Sequence, residues 1–382
     1  MKIAVVMPLG EQRGGGELML LHLLRHGRAQ GVTWQVIFLE DGPLVQQIAG
    51  LGVQTTVITA GRLRQPHRVA GTIVRIAAAA RRERVDALLS WMTKAHLYGG
   101  PAALLARIPA LWYHLAVPSP RDAMDRLATR LPARGILTLS RAAWKAQARL
   151  RPRRVLRLVY PGAELDRFDP AMLPPPGQAR RLLGLPETGP LIVLAGRLQR
   201  WKGMHVLVEA MPQVLAEFGS ATAVLVGGTH DLEPDYPDYL RGRIASLGLE
   251  GRVILAGLQS NVALWMQAAD VVVHASDAEP FGIVVVEAMA LNKPVVAGDA
   301  GGPAEIITHG ENGLLAPYGD PDALAGAVLT YLRDPQFARH VGAAAGKRAQ
   351  DFSAVHYAHN VICAVRDLLP DVPEALGTRK TS

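Results

Sequence analysis

The stretch HASDAEPFGIVVVEAMALNKPVVAG (274–298) carries two glutamates, Glu279 and Glu287, eight positions apart. Two carboxylates can serve one ligand only if the backbone aims both at it, so the state of the IVVV run between them comes first. By propensity a β-branched run is strand. Its flanks argue otherwise. DVVVHAS (270–276) and PVVAG (294–298) are both buried-strand signals. Parallel strands of one sheet need a crossover, usually a helix. The interval 277–293 leaves room for a loop and about three turns, which predicts a helix over 282–291. Burial of that helix outweighs a propensity penalty of a few tenths of a kcal/mol per residue. Glu279 then lies in the loop before the helix and Glu287 in its second turn. The backbone amides near Phe281, Gly282, Ile283 and Val284 are helix-start donors with no intrahelical acceptor. They suit an anion or sugar hydroxyls at the C-terminal end of a sheet, and Gly282 allows close approach to the backbone.

Other chemistry-bearing residues are sparse. Asp320-Pro321-Asp322 looks like a metal-binding pair of aspartates, but a helix cap at Asp320 followed by proline at the first helical position explains it better. No His/Cys cluster has metal-ligand spacing, so the expected chemistry needs neither metal nor cofactor. Cys363 is the single cysteine, which excludes an internal disulfide framework and suits a reducing compartment. The net charge of +8 is uneven: residues 1–170 carry +14 and 171–382 carry −6. Positive charge is densest over 121–157, where Arg and Lys alternate with Leu, Ala, Met and Trp. Such a segment predicts contact with an anionic membrane surface. Nucleic acid is not expected, because no nucleic-acid motif and few stacking aromatics accompany the charge. The first apolar run is too short for a secretory leader, and no apolar stretch reaches the roughly 18 residues of a spanning helix. The expected location is the cytoplasm, with peripheral association at the inner face of the membrane.

The elements that must position these residues repeat one pattern. Short apolar runs such as KIAVVMP, WQVIFLE and ALWYHLA alternate with helical periodicities such as GELMLLHLLRHGRAQ. This alternation predicts a parallel, doubly wound α/β sheet. A proline-rich break follows, and the alternation restarts at LIVLAGR (191–197). The expected organisation is a Rossmann-like domain over 1–168, a linker over 169–189, a second Rossmann-like domain over 190–352, and a C-terminal helix and tail over 353–382. Two such domains facing each other would form a ligand cleft.

Read in order, several segments resemble one family over roughly residues 1–365. EPFGIVVVEAMA resembles the E-x7-E motif of retaining, GT-B-fold glycosyltransferases of family 4, also called glycosyltransferase group 1. PLGEQRGGGE (8–17) is similar to that family's N-terminal glycine loop, YPGAELDRFDP (160–170) to the segment entering its linker, AGRLQRWKG (195–203) to its Arg…Lys phosphate site, and AGDAGGPAEIITHGENGLL (297–315) to the stretch after the acids. The resemblance implies a nucleotide-diphosphate sugar as donor, acceptor binding by the first domain and nucleotide-sugar binding by the second. Arg197 and Lys202 would offset charge on the departing diphosphate. Glu287 would accept from ribose hydroxyls, and Glu279 would contact the donor sugar near the reacting face. The amides of Gly15 and Gly16 would face the diphosphate on domain closure. His114 resembles the family histidine placed near the anomeric carbon, although Leu115 stands where the family usually has Asp.

The implied activity is retaining transfer of a sugar, from a UDP-sugar in preference to a GDP-sugar, to an acceptor hydroxyl. The acceptor would belong to glycolipid, lipid-linked glycan or cell-surface polysaccharide biosynthesis. A glycosidase pair is disfavoured, since acids on either side of a loop–helix junction need not be catalytic partners. The alternatives are a nucleotide-sugar epimerase and a non-catalytic sugar-nucleotide-binding protein. The glycine loop is not GxGxxG, which gives a dehydrogenase little support.

Overall fold

The computed structural model describes residues 1–12 and 14–371, which divide into two compact units: 1–162 with the C-terminal segment from 354, and 163–353. The first unit alternates β1 (Lys2–Met7), α1 (Gly15–His26), β2 (Thr33–Phe38), α2 (Pro43–Gly50), β3 (Gln54–Val57), α3 (Pro66–Arg82), β4 (Ala87–Trp91), α4 (Met92–Ala106), β5 (Ala110–His114), α5 (Ala123–Arg130), β6 (Gly135–Thr138), α6 (Arg141–Arg149) and β7 (Val155–Leu158). All seven strands pair in parallel, in the order β3-β2-β1-β4-β5-β6-β7. The central strands β1, β4 and β5 are buried along almost their whole length. Helices cover both faces, which is why these strands read as unbroken apolar runs.

The second unit opens with α7 (Pro176–Leu182). It continues through β8 (Leu191–Ala195), α8 (Met204–Glu217), β9 (Thr222–Val226), α9 (Tyr236–Ser246), β10 (Val253–Gly257), α10 (Val262–Ala268), β11 (Val271–His274), α11 (Ile283–Ala290), β12 (Val295–Gly298), α12 (Pro303–Ile306), β13 (Leu314–Ala316), α13 (Pro321–Arg333) and α14 (Pro335–Ala349). Its six strands are also parallel, in the order β10-β9-β8-β11-β12-β13. The last helix among the described residues is α15 (Ala354–Leu368), which packs on α1 in the first unit. Both units are doubly wound and Rossmann-like, as the GT-B class requires.

The expected boundaries and the compact units differ in two places. The proline-rich segment 169–189 is structured and belongs to the second unit: α7 packs on α10. Arg180 of α7 is buried and donates to Asp270 Oδ2 (2.7 Å), Ala268 O (3.0 Å) and Gly189 O (3.0 Å). A guanidinium with that many acceptors ties the segment to the strand edge, which composition alone does not reveal. The other difference is the last helix, which joins the first unit. The expected tail from residue 372 lies outside the described residues.

Candidate active site

The helix expected over 282–291 is α11, Ile283–Ala290, lying between β11 and β12 of one sheet. Val285 and Val286 are fully buried, and α11 packs against α14 and the short 3-10 turn Leu165–Phe168. Packing on several sides thus holds a β-branched run in a helix. Gly282 precedes the helix at φ +98°, a backbone state that other residues adopt only under strain, and a Cβ there would crowd Pro303 at 3.2 Å. No side chain caps α11; the first amides to bond back are those of Val285 and Val286, both to the Gly282 carbonyl. The amides of Ile283 and Val284 come before them, at the helix start.

Glu279 sits at this helix mouth and is largely buried. Its Oε2 accepts from the Lys202 ammonium and lies 3.4 Å from His274 Nε2. Burial would raise the carboxyl pKa, but His274 and Lys202 outweigh it and hold the group down to about 2. Glu279 is therefore a permanent carboxylate, unsuited to donating a proton.

Lys202 reaches Glu279 because the chain after β8 is drawn onto the end of β11. Gly203, at φ +71°, lies so close to the Ala275 carbonyl that a Cβ would stand 2.0 Å from its oxygen. The Asp277 amide donates to the Trp201 carbonyl at 2.8 Å, and the Lys202 ammonium stands 4.1 Å over the Trp201 ring. On the other side, Gly301 and Gly302 fold against the EPF loop. A Cβ on Gly301 would meet the Glu279 carbonyl at 2.3 Å, and one on Gly302 the Phe281 Cα at 2.2 Å. Beside Glu279, Ala278 is held at φ +36°, an unfavourable state that the packed loop imposes.

The structure brings Lys202 and Glu279 into direct contact. Arg197 follows the same strand, β8, and is exposed. Glu287 lies in the second turn of α11. Its side chain keeps some exposed surface while protein encloses the carboxyl, and burial pushes its pKa up to about 8 against an opposing effect of Arg167. The two glutamates thus differ by about six units: one stays charged, the other holds a proton at neutral pH. His274 and Ser276 were not expected from the sequence. His274 Nε2 and Ser276 Oγ are 3.2 Å apart, and His274 Nδ1 is buried without a hydrogen-bond partner among the described residues. Asp320 caps α13, accepting from the Ala323 amide at 2.9 Å, as its spacing suggested.

In the first unit, Gly15 and Gly16 open α1 at the C-terminal end of β1. They differ in kind. A Cβ on Gly16 would collide with Met92 Cε at 2.2 Å and touch Leu115 at 3.4 Å, whereas Gly15 is exposed with open space around it. Met92, at φ +68°, is a strained residue at the end of β4. His114 ends β5 and is buried, stacked on Trp112 at 4.6 Å, with His96 on that indole's other contact at 4.8 Å. Its tautomer follows from the bonds around it. Thr129 Oγ1 donates to the Asp125 carbonyl (2.7 Å), so it accepts from Gln147 Nε2 (2.8 Å). Gln147 Oε1 then faces His114 Nδ1 at 3.0 Å, and Nδ1 carries the hydrogen. Nε2 is left as a buried acceptor, 3.7 Å from Asp125 Oδ1. Burial lowers the His114 pKa, against the Gln147 bond and the Asp125 charge, which raise it. The sequence pointed to His114 but not to Asp125 or Gln147, which lie 11 and 33 positions further on.

Residues 178–348 match the family described as "Glycosyl transferases group 1". They hold the loop after β8, the helix mouth and both glutamates. Among curated relatives, the D-inositol 3-phosphate glycosyltransferase of Jonesia denitrificans is 35% identical over 223 residues, 54% of this chain and 50% of the relative. The enzyme of that name from Nocardioides sp. is 33% identical over 237 residues, 59% of this chain and 51% of its own. The chain spans about half the length of the curated relatives it matches. Among solved structures, Anabaena HepE in complex with UDP is 28% identical with a TM-score of 0.87, covering 96% of this chain and 100% of its own. HepE has also been solved in complex with UDP-glucose, with a TM-score of 0.84.

Proposed function

We propose that this chain is a retaining glycosyltransferase of family 4, moving a sugar from a nucleotide-diphosphate sugar to an acceptor hydroxyl. The observation that carries the reading is the pairing of Lys202 with an always-ionised Glu279 at the mouth of α11. A cation and an anion held against uncapped helix-start amides suit a ligand with a phosphate next to a polyhydroxylated ring. Lys202 and Arg197 stabilise the negative charge that develops on the departing diphosphate. Released from Lys202 by that phosphate, Glu279 accepts hydrogen bonds from the donor sugar. The amides of Gly282, Ile283 and Val284 and the region of Phe281 line this end of the donor. Glu287, once ionised, accepts from the ribose hydroxyls. With two cations serving the leaving group, the reaction as proposed uses no metal and no cofactor. The UDP and UDP-glucose complexes of HepE favour a UDP-sugar donor, with a GDP-sugar as the alternative.

The first unit takes the acceptor, with the bare His114 Nε2 as its polar contact, while the exposed Gly15 amide keeps the diphosphate role that the resemblance implies. His114 accepts a hydroxyl hydrogen near the reacting carbon, and Gly16 sets the backbone that presents Gly15. The acceptor is assigned to glycolipid, lipid-linked glycan or cell-surface polysaccharide synthesis, at the cytoplasmic side of a membrane. No helix among the described residues is long and apolar enough to cross a membrane, so such association is peripheral. Thermal-shift titration with a panel of nucleotide sugars tests the donor: a ligand that binds only the native state raises Tm. Acceptor-dependent release of the nucleotide, with the anomeric configuration of the product read by NMR, tests transfer and retention. Sugar inversion in the absence of acceptor would point to an epimerase. Binding without turnover on any acceptor would point to a non-catalytic sugar-nucleotide-binding protein.

A further inference from the structure

The first unit has a second concavity, at the end of its sheet opposite Gly15, Gly16 and His114. Three helix-to-strand connections meet there: 107–109 before β5, 131–134 before β6 and 150–154 before β7. They surround a cavity of about 400 Å3 whose lining includes Ile108, Pro109 and Pro132 together with Arg134, Arg153 and Arg154. Leu104 and Val155 line it with 67% and 46% of their surfaces exposed, and Leu105, next in the chain, is 43% exposed. Arg107 and Arg151 stand exposed on the same connections. Among the described residues, the ion pairs here are Asp371, 3.1 Å from Arg134, and Asp367, 4.0 Å from Arg157 on β7. Cations at the C-terminal ends of α4, α5 and α6 complement the helix dipoles. That accounts for one basic residue per helix end, but not for exposed leucines and three arginines around one cavity.

We propose that this cavity is a docking site for an anionic lipid surface. Arg134, Arg153 and Arg154 receive phosphate headgroups, and Leu104, Leu105 and Val155 enter the boundary between headgroups and acyl chains. The apolar rim decides for lipid over free phosphate, which gains nothing from exposed leucine. The lack of an aromatic platform in the lining argues against single-stranded nucleic acid. The site uses none of the residues assigned to donor or acceptor, so it stands or falls apart from the transfer reading. It also places the end of the basic 121–157 stretch, residues 149–157, on the membrane rather than on a ligand.

Vesicle sedimentation of the full chain tests the site, using phosphatidylcholine alone and phosphatidylcholine with phosphatidylglycerol, at low and high salt. The expected result is binding to anionic vesicles only, reversed by salt. At roughly a factor of five per charge, the triple variant Arg134→Gln/Arg153→Gln/Arg154→Gln should bind about a hundredfold more weakly. Leu104→Ser/Leu105→Ser should weaken binding while every charge remains. A charge-matched control, Arg62→Gln/Arg64→Gln/Arg68→Gln, removes three arginines beside β3 at the other end of the sheet and should bind as the wild type does. Unchanged Tm in each variant shows that it is folded. Equal binding to neutral and anionic vesicles would overturn the proposal. So would an equal loss in the control, which would reduce the effect to net charge. Full displacement from vesicles by inorganic phosphate at matched ionic strength would overturn it too, by showing a free-phosphate site.

Discussion

Donor affinity should depend on pH through Glu287. Its carboxyl, enclosed by protein, has its pKa pushed up to about 8, whereas a group accepting from ribose hydroxyls binds best when ionised. At pH 7 a carboxyl of that pKa is ionised in about one molecule in ten, so the apparent Kd is about tenfold weaker than the intrinsic one, or ~1.4 kcal/mol. At pH 6 the factor is about a hundred, and above pH 9 it vanishes. The stability sign agrees. The folded pKa lies above the ordinary glutamate value of 4.5, so the group's contribution is fully present below that value and is lost as pH rises through about 8. Glu287→Gln should therefore be relatively more stable than the wild type at pH 8.5 than at pH 5, by a few kcal/mol at most. Calorimetric titration of a nucleotide sugar from pH 6 to 8.5, in buffers of different ionisation enthalpy, should show close to one proton released per site near pH 7. The slope of log Kd against pH should approach −1 below pH 7. Glu287→Gln should bind more weakly at high pH with a flat profile. A wild-type Kd constant across this range, with no proton exchange, would refute both the raised pKa and the assigned role.

Lys202→Ala should lower the rate of transfer by roughly 10²–10³-fold with a smaller effect on donor Kd, the mark of a group acting mainly on developing charge; an effect confined to KM would make Lys202 a binding residue only. Gly203→Ala forces a Cβ to within 2.0 Å of the Ala275 carbonyl at a positive φ. It should cost at least ~2 kcal/mol and lower Tm by ~4 °C or more, which a melting curve checks. Nitrogen-15 NMR should find His114 protonated at Nδ1; Gln147→Leu should release the other tautomer and slow transfer, and an Nε2–H tautomer in the wild type would contradict the hydrogen-bond chain.

The sequence by itself determined the elements and the local frame of the donor end. Parallel strands buried on both faces are written as runs such as LIVLA and VVVH, because no position of such a strand faces water. The flanking runs alone were enough to make IVVV a helix, since a parallel crossover leaves little alternative. With the helix came the loop position of Glu279 and the second-turn position of Glu287. What each group does there depends on neighbours distant in the chain. Only the folded loop puts Lys202 on Glu279, 77 positions later, and His274 beside the same oxygen. Those contacts hold one carboxyl near 2, while enclosure, against the opposing charge of Arg167, raises the other to about 8. Gly203, Gly301 and Gly302 look like ordinary turn glycines in sequence; their need appears only where a Cβ would strike another backbone. The proline-rich stretch before β8 reads as linker because its anchors lie far along the chain: Arg180 finds an acceptor 90 positions away, and the Pro174 carbonyl accepts from Gln267. Burial and charge are sums over space, and spacing along a chain carries them only where a strand or a helix turns the one into the other.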